Sequence, residues 1–145
     1  ATTVNTRLQQ VKTLLQGIRE DGTRYDALRH QLEQQRLCMI RRDSDELLAI
    51  NELIQQHYEQ LQNSSQQRRS ILQLLGVSVN RAGIEQVFSW LPVVQKSAAE
   101  GWWQSLEQKA KRCKMYNEKN GDLLIRQYEF IQAFLGTEPD FIYQR

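Results

Sequence analysis

Two histidines and two cysteines are the side chains with most chemistry to offer in this chain of 145 residues. A metal centre needs three or four His, Cys or carboxylate ligands at short spacing. His30 and His57 each stand alone, with no second His, Cys or clustered acid at ligand distance in sequence. Cys38 and Cys113 are 75 residues apart and form no C-x-x-C pair. A thiol nucleophile also needs a base beside it, and the sequence offers none. These cysteines read as small buried hydrophobes in a reducing compartment. No phosphate-binding, dinucleotide-binding, zinc-protease or serine-hydrolase motif occurs. The chain is therefore expected to be no enzyme, with no metal and no cofactor.

Lys109, Lys111, Arg112, Lys114 and Lys119 form a basic run. Such a run could meet phosphates. Only Tyr116 interleaves it, and 19 basic against 17 acidic residues leave a net charge of +2. A solvated helical face is the better reading, and no nucleic-acid partner is expected.

The apolar residues say more. Trp103, Leu106, Ala110, Cys113, Asn117, Asn120, Leu124, Tyr128, Ile131 and Leu135 recur at alternating steps of three and four. Asn120-Gly121 is a turn signal, yet the phase runs through it. One long helix over 97–135 is expected, on the order of 60 Å at 1.5 Å per residue. Its two seam asparagines are expected to lower stability and fix register. A second apolar stripe, with Tyr116, Leu123, Phe130 and Phe134, lies roughly 80–120° around the same helix at about 100° per residue. Either the helix packs against two neighbours in a bundle, or the second stripe is a groove for a partner helix. Trp102 and Trp103 are adjacent and cannot both face one core, so one packs and the other sits at a rim.

The elements that position these residues are legible from periodicity and caps. Val4, Leu8, Val11, Leu15, Ile18, Gly22, Tyr25, Leu28 and Leu32 mark a first helix over about 3–41, with Gly22 allowing a close approach. Asp43 or Ser44, with Glu46, opens a second helix over about 44–75, capped by Gly76. The short connection makes these two antiparallel. The second helix has a weak middle, where Ser64, Ser65 and Arg68 take seam positions. Asn80 or Ser78 caps a short helix over about 80–91 that carries Ile84, Val87, Phe88 and Leu91. Ser97-Ala98-Ala99-Glu100 reads as the capping box of the last helix. Gly136 and Pro139 end it, leaving a tail over 136–145.

Composition agrees with long solvated helices: 20 glutamines, 2 prolines and 7 glycines, with mean hydropathy −0.63. No stretch reaches the roughly 18 apolar residues of a membrane span, and the first residues do not resemble a secretory signal. The expectation is a single helical domain over 1–145. Its class is all-α, an elongated bundle built on a long antiparallel hairpin plus a long C-terminal helix.

Leu32-Glu33, Asp43, Leu47-Leu48, Arg68-Arg69, Ile71-Leu72 and Leu75-Gly76 resemble the helical hairpin of FlgN-type flagellar export chaperones. So does the later block, from Trp103 and Leu106 to Asn117, Asn120-Gly121, Leu124 and Gln127. The resemblance covers nearly the whole chain. It implies a bacterial cytoplasmic chaperone without catalysis. Such a protein binds the C-terminal amphipathic helices of hook–filament junction proteins, keeps them export-competent and delivers them to the type III export gate. The family binds its substrates through the C-terminal part. This points to Tyr116, Leu123, Ile125, Phe130, Phe134 and Phe141 as apolar contacts. Glu138-Pro139 followed by Tyr143 resembles the family's tail, which implies docking of Tyr143 on the gate's cytosolic domain. The rival reading is a structural coiled-coil adaptor that self-associates through the same stripes.

Overall fold

Residues 2–134 are described by a computed structural model, with side chains described from 6 to 133. Helices account for almost all of this span: α1 Thr2–Arg41, α2 Ser44–Leu74, α3 Arg81–Ser89 and α4 Val93–Phe134. The fold is all-α, and the described residues contain no strand. At 40, 31 and 42 residues, α1, α2 and α4 are each far longer than an ordinary globular helix. The result is an elongated helical bundle.

Local chemistry ends each helix where the sequence places a stop. Asp43 accepts a hydrogen bond from the Glu46 amide at 3.2 Å and caps α2. At the far end of α2 the Val77 amide donates to the Leu72 carbonyl and the Gly76 amide to the Gln73 carbonyl. Gly76 has φ +75°, so this is a Schellman cap with glycine in the left-handed position. The turn between α1 and α2 uses the same bonding, Asp43 to Cys38 and Arg42 to Met39, but its left-handed residue is Arg42 at φ 57°. Asn80 caps α3, its side chain accepting from the Gly83 amide at 3.1 Å.

Two expectations about local structure are corrected. The last helix begins at Val93, not at Ser97. Pro92 has no N–H to satisfy and a φ already suited to a helix start. Its carbonyl accepts the Lys96 amide at 2.8 Å, which places Ser97 inside the helix. The glycine that permits close contact is Gly83 and not Gly22. A Cβ on Gly83 would lie 1.6 Å from the Ser78 carbonyl oxygen, whereas one on Gly22 would meet Lys109 Nζ at an ordinary 3.8 Å. The expected end of the last helix near Leu135, its stop at Gly136 and Pro139, and the tail lie outside the described residues.

Hydrogen bonds show how the helices run. Asp21 pairs with Ser64 and Arg68, and Gln35 with Asn51, so α1 and α2 are antiparallel. Lys109 reaches Gly22 and Asp26, Cys113 reaches Tyr25, Asn120 reaches Leu32, and Gln127 reaches Met39. Both numbers rise together, so α4 runs parallel to α1. α3 is the short element at the base of the hairpin that connects α2 to α4.

The core divides into two clusters. At the base, Leu14, Ile18, Leu72, Val87, Phe88 and Leu106 are buried together, contributed by all four helices. Toward the hairpin tip, Leu28, Leu32, Cys38, Ile50, Ile54, Leu61 and Cys113 form the second cluster. Between them lies a polar layer. Asp21 is 2 % exposed, yet its Oδ2 accepts from Ser64 Oγ at 2.8 Å and from Arg68 Nη1 at 2.7 Å. The Arg68 guanidinium also lies over the Trp103 ring, 5.7 Å from its centroid. The weak middle of α2 is thus the half of a buried ion pair whose other half is on α1.

Candidate functional site

The distal half of α4 is where the helix ceases to be covered. Ala99, Leu106 and Cys113 are buried, but after Cys113 the buried residue is Asn120. Asn120 Nδ2 donates to the Leu32 carbonyl at 2.8 Å and to Gln35 Oε1 at 3.0 Å. Gln35 Nε2 in turn donates to Asn51 Oδ1 at 2.9 Å, so one amide chain joins α4, α1 and α2. Asn120 lies in the seam, as expected. Asn117, also expected in the seam, is exposed.

The seam beyond Asn120 also differs from the expected one. Leu123 and Gln127 are half-buried, and Gln127 Nε2 donates to the Met39 carbonyl at 2.9 Å. Leu124, Tyr128 and Ile131, expected in the seam, are exposed. For Leu124 and Tyr128 the cause is phase: the seam steps by three from Asn120 and passes them by. For Ile131 the cause is length. Asn120 sits opposite Leu32 and Gln127 opposite Met39, so α1, which ends at Arg41, has run out before Ile131 is reached.

The residues expected to touch a partner separate accordingly. Tyr116 is half-buried against the second core cluster. Leu123 is half-buried beside the seam. Ile125 and Phe130 are open, at 56 % and 62 % exposure. They do not share a face, because five residues rotate a helix by about 140°. Ile125 falls instead with Leu124, Tyr128 and Ile131 on an arc of roughly 120° at about 100° per residue. Phe130 lies on the opposite flank, near Leu123. The side chain of Phe134, and Phe141 and Tyr143 entirely, lie outside the described residues. Leu124, Tyr128 and Ile131 were missed as surface residues because their spacing is that of a seam. Leu37, Ile40 and Leu48 add exposed apolar side chains at the hairpin tip.

The titratable groups give this region little reactive chemistry. Burial pushes the Cys113 thiol up to about 11, and burial raises Cys38 as well. A thiol held neutral is a poor nucleophile. His57 is lowered by burial and by the charge of Arg24. Among the described residues no group of three or more His, Cys, Asp or Glu is placed to hold a metal ion. The basic run is partly engaged, with Lys109 Nζ 2.9 Å from Asp26 Oδ2. No described helix is long and apolar enough to cross a membrane. The arrangement is suited to burying another apolar surface.

Comparison with known proteins adds one finding. The family model described as FlgN protein matches residues 10–137. Searches of curated proteins and of solved structures give no match. The match spans the hairpin, the connector and the long last helix with its uncovered distal face, and on this evidence the chain belongs to the FlgN family of flagellar export chaperones.

Proposed function

We propose that this chaperone binds the C-terminal amphipathic helices of hook–filament junction proteins and brings them to the export gate in the bacterial cytoplasm. The observation that carries this reading is the apolar arc Leu124, Ile125, Tyr128 and Ile131, exposed on the distal part of α4, with Phe130 on the opposite flank. An amphipathic helix laid along α4 would bury its own apolar face against this arc. Leu123, Phe134 and Phe141 are proposed as further contacts, with Tyr116 at the margin. Tyr143 is proposed for docking on the gate, a role supported by the resemblance of Glu138-Pro139 and Tyr143 to the family's tail. No catalysis is needed for holding and release.

Release at the gate favours moderate affinity over a tight, dry interface. Ordering a disordered segment on binding costs about 2–5 kcal/mol of the gross interaction. Calorimetric titration of the full chain with a peptide of the last 40 or so residues of a junction protein tests the proposal. One-to-one binding that is lost in an Ile125→Asp/Phe130→Asp variant supports it. No binding by the folded wild-type chain overturns it.

A further inference from the structure

A second surface lies at the other end of the bundle and is not part of the α4 arc. Between α1 and α4, on the side where Trp102 emerges, a groove of about 570 Å³ is open to solvent. Its apolar surface is Leu15 and the face of Trp102, which is 36 % exposed. Lys12 and Arg19 stand on its rim, seven residues apart and so on one face of α1. The Arg19 guanidinium lies over the Trp102 ring, 4.8 Å from its centroid. Among the described residues neither Lys12 nor Arg19 is ion-paired, while Glu20 on the same rim accepts from Gln16 at 3.0 Å. The Lys109–Asp26 ion pair bridges the two helices just beyond the groove. The site is therefore short: an apolar floor with two unpaired cations at its edge. A guanidinium over an indole still has N–H groups to offer a carboxylate.

We propose that this groove receives the C-terminal segment around Glu138, Asp140 and Phe141 of a second copy of this chain. That segment supplies two carboxylates two residues apart, followed by Phe141, Ile142 and Tyr143. Pro139 between the acids biases Glu138 to an extended backbone, which lowers the ordering cost. The groove's own chain cannot fill it. From Trp102 to Phe134, α4 runs about 48 Å at about 1.5 Å per residue. The seven residues from Leu135 to Phe141 reach at most about 25 Å when fully extended. Two copies side by side and antiparallel exchange segments reciprocally, so the contact is isologous and closes as a dimer. In the dimer Glu138 and Asp140 meet Lys12 and Arg19 and Phe141 covers Trp102; in the monomer Phe141 is available to a junction-protein helix.

Sedimentation velocity of the full chain tests this, with circular dichroism to verify that each variant keeps its helices. A reversible dimer is expected, weakened by added salt. Lys12→Glu/Arg19→Glu and, separately, Glu138→Lys/Asp140→Lys are each expected to weaken the dimer by about tenfold or more. The chain carrying all four reversals is expected to regain it. A chain that stays monomeric up to about 100 µM overturns the proposal. So does a dimer indifferent to the Lys12/Arg19 reversal, which would form through another surface such as the exposed α4 arc. Failure of the four-fold reversal to restore the dimer overturns it as well. None of these outcomes depends on whether a junction-protein peptide binds.

Discussion

Asn120 on α4 donates from Nδ2 to the main-chain oxygen of Leu32 on α1 at 2.8 Å, while its own Oδ1 is buried without a partner. A half-satisfied buried amide costs stability. The expected compensation is register. With Cys113 reaching Tyr25 above it and Gln127 reaching Met39 below it, the bond sets how far α4 slides along α1. That setting decides which α4 residues face α1 and which lie past its end at Arg41. Replacing Asn120 by Ala should lower the unfolding free energy by about 1–2 kcal/mol in urea titration. Asn120→Leu should cost less, or stabilise, but should broaden the register of α4, visible as doubled amide resonances in residues 121–133. A single sharp set in Asn120→Leu would show that register is set elsewhere.

Asp21 and Arg68 make the second register lock, between α1 and α2. Asp21→Ala leaves the Arg68 charge largely buried, with 17 % side-chain exposure, and should cost about 3–5 kcal/mol. Removing both charges, as Asp21→Leu/Arg68→Met, should recover most of that loss, because the desolvation penalty goes with the pair. Denaturant midpoints of the three variants decide this; equal loss in the single and double variants would contradict it.

Two backbone positions make opposite predictions. Arg42 occupies a left-handed conformation that favours glycine, so Arg42→Gly should raise stability by about 1 kcal/mol. Gly83 faces the Ser78 carbonyl where a Cβ has no room, so Gly83→Ala should destabilise by about 2 kcal/mol or more. Thermal melts of both variants against the wild type provide the check.

His57 gives a pH dependence with a definite sign. Burial and the Arg24 charge lower its folded-state value below the ordinary 6.5. The unfolded chain therefore binds a proton that the folded chain does not, and stability rises with pH in that window. It is fully present above about pH 6.5 and falls as the pH drops through that value toward the lower folded-state one. His57→Gln should flatten this slope between pH 7 and pH 5. An unchanged slope would assign the dependence to other groups.

Cys113 should resist modification while the chain is folded. Its thiol is pushed up to about 11 by burial and its sulfur donates toward the Tyr25 carbonyl at 3.4 Å. At pH 8, reaction with a disulfide reagent should proceed at the rate of unfolding and speed up in urea. Fast labelling of Cys113 in native buffer would mean that α4 separates readily from α1.

Much of this architecture was local and therefore readable. The hairpin follows from apolar spacing over 3–41 and 44–75. Asp43, Gly76 and Asn80 act as caps because each cap needs only residues three or four positions away. The apolar spacing on both sides of Asn120-Gly121 was enough to read one helix across a turn signal, although the buried seam beyond Asn120 runs through Leu123 and Gln127 and not through Leu124 and Tyr128. What could not be read were pairings between distant helices. Ser64 and Arg68 looked like flaws in α2 until Asp21 was placed against them. Leu124, Tyr128 and Ile131 had the spacing of a seam, and no local rule says that the seam would pass Leu124 and Tyr128 by or that α1 would stop short of Ile131. The sequence by itself determined helix identity and the caps at Asp43, Gly76 and Asn80, because those depend on interactions within a few residues. The tertiary structure alone decided the parallel register of α4 on α1, and hence which apolar residues are core and which are surface, because register is set by contacts between residues nearly ninety positions apart.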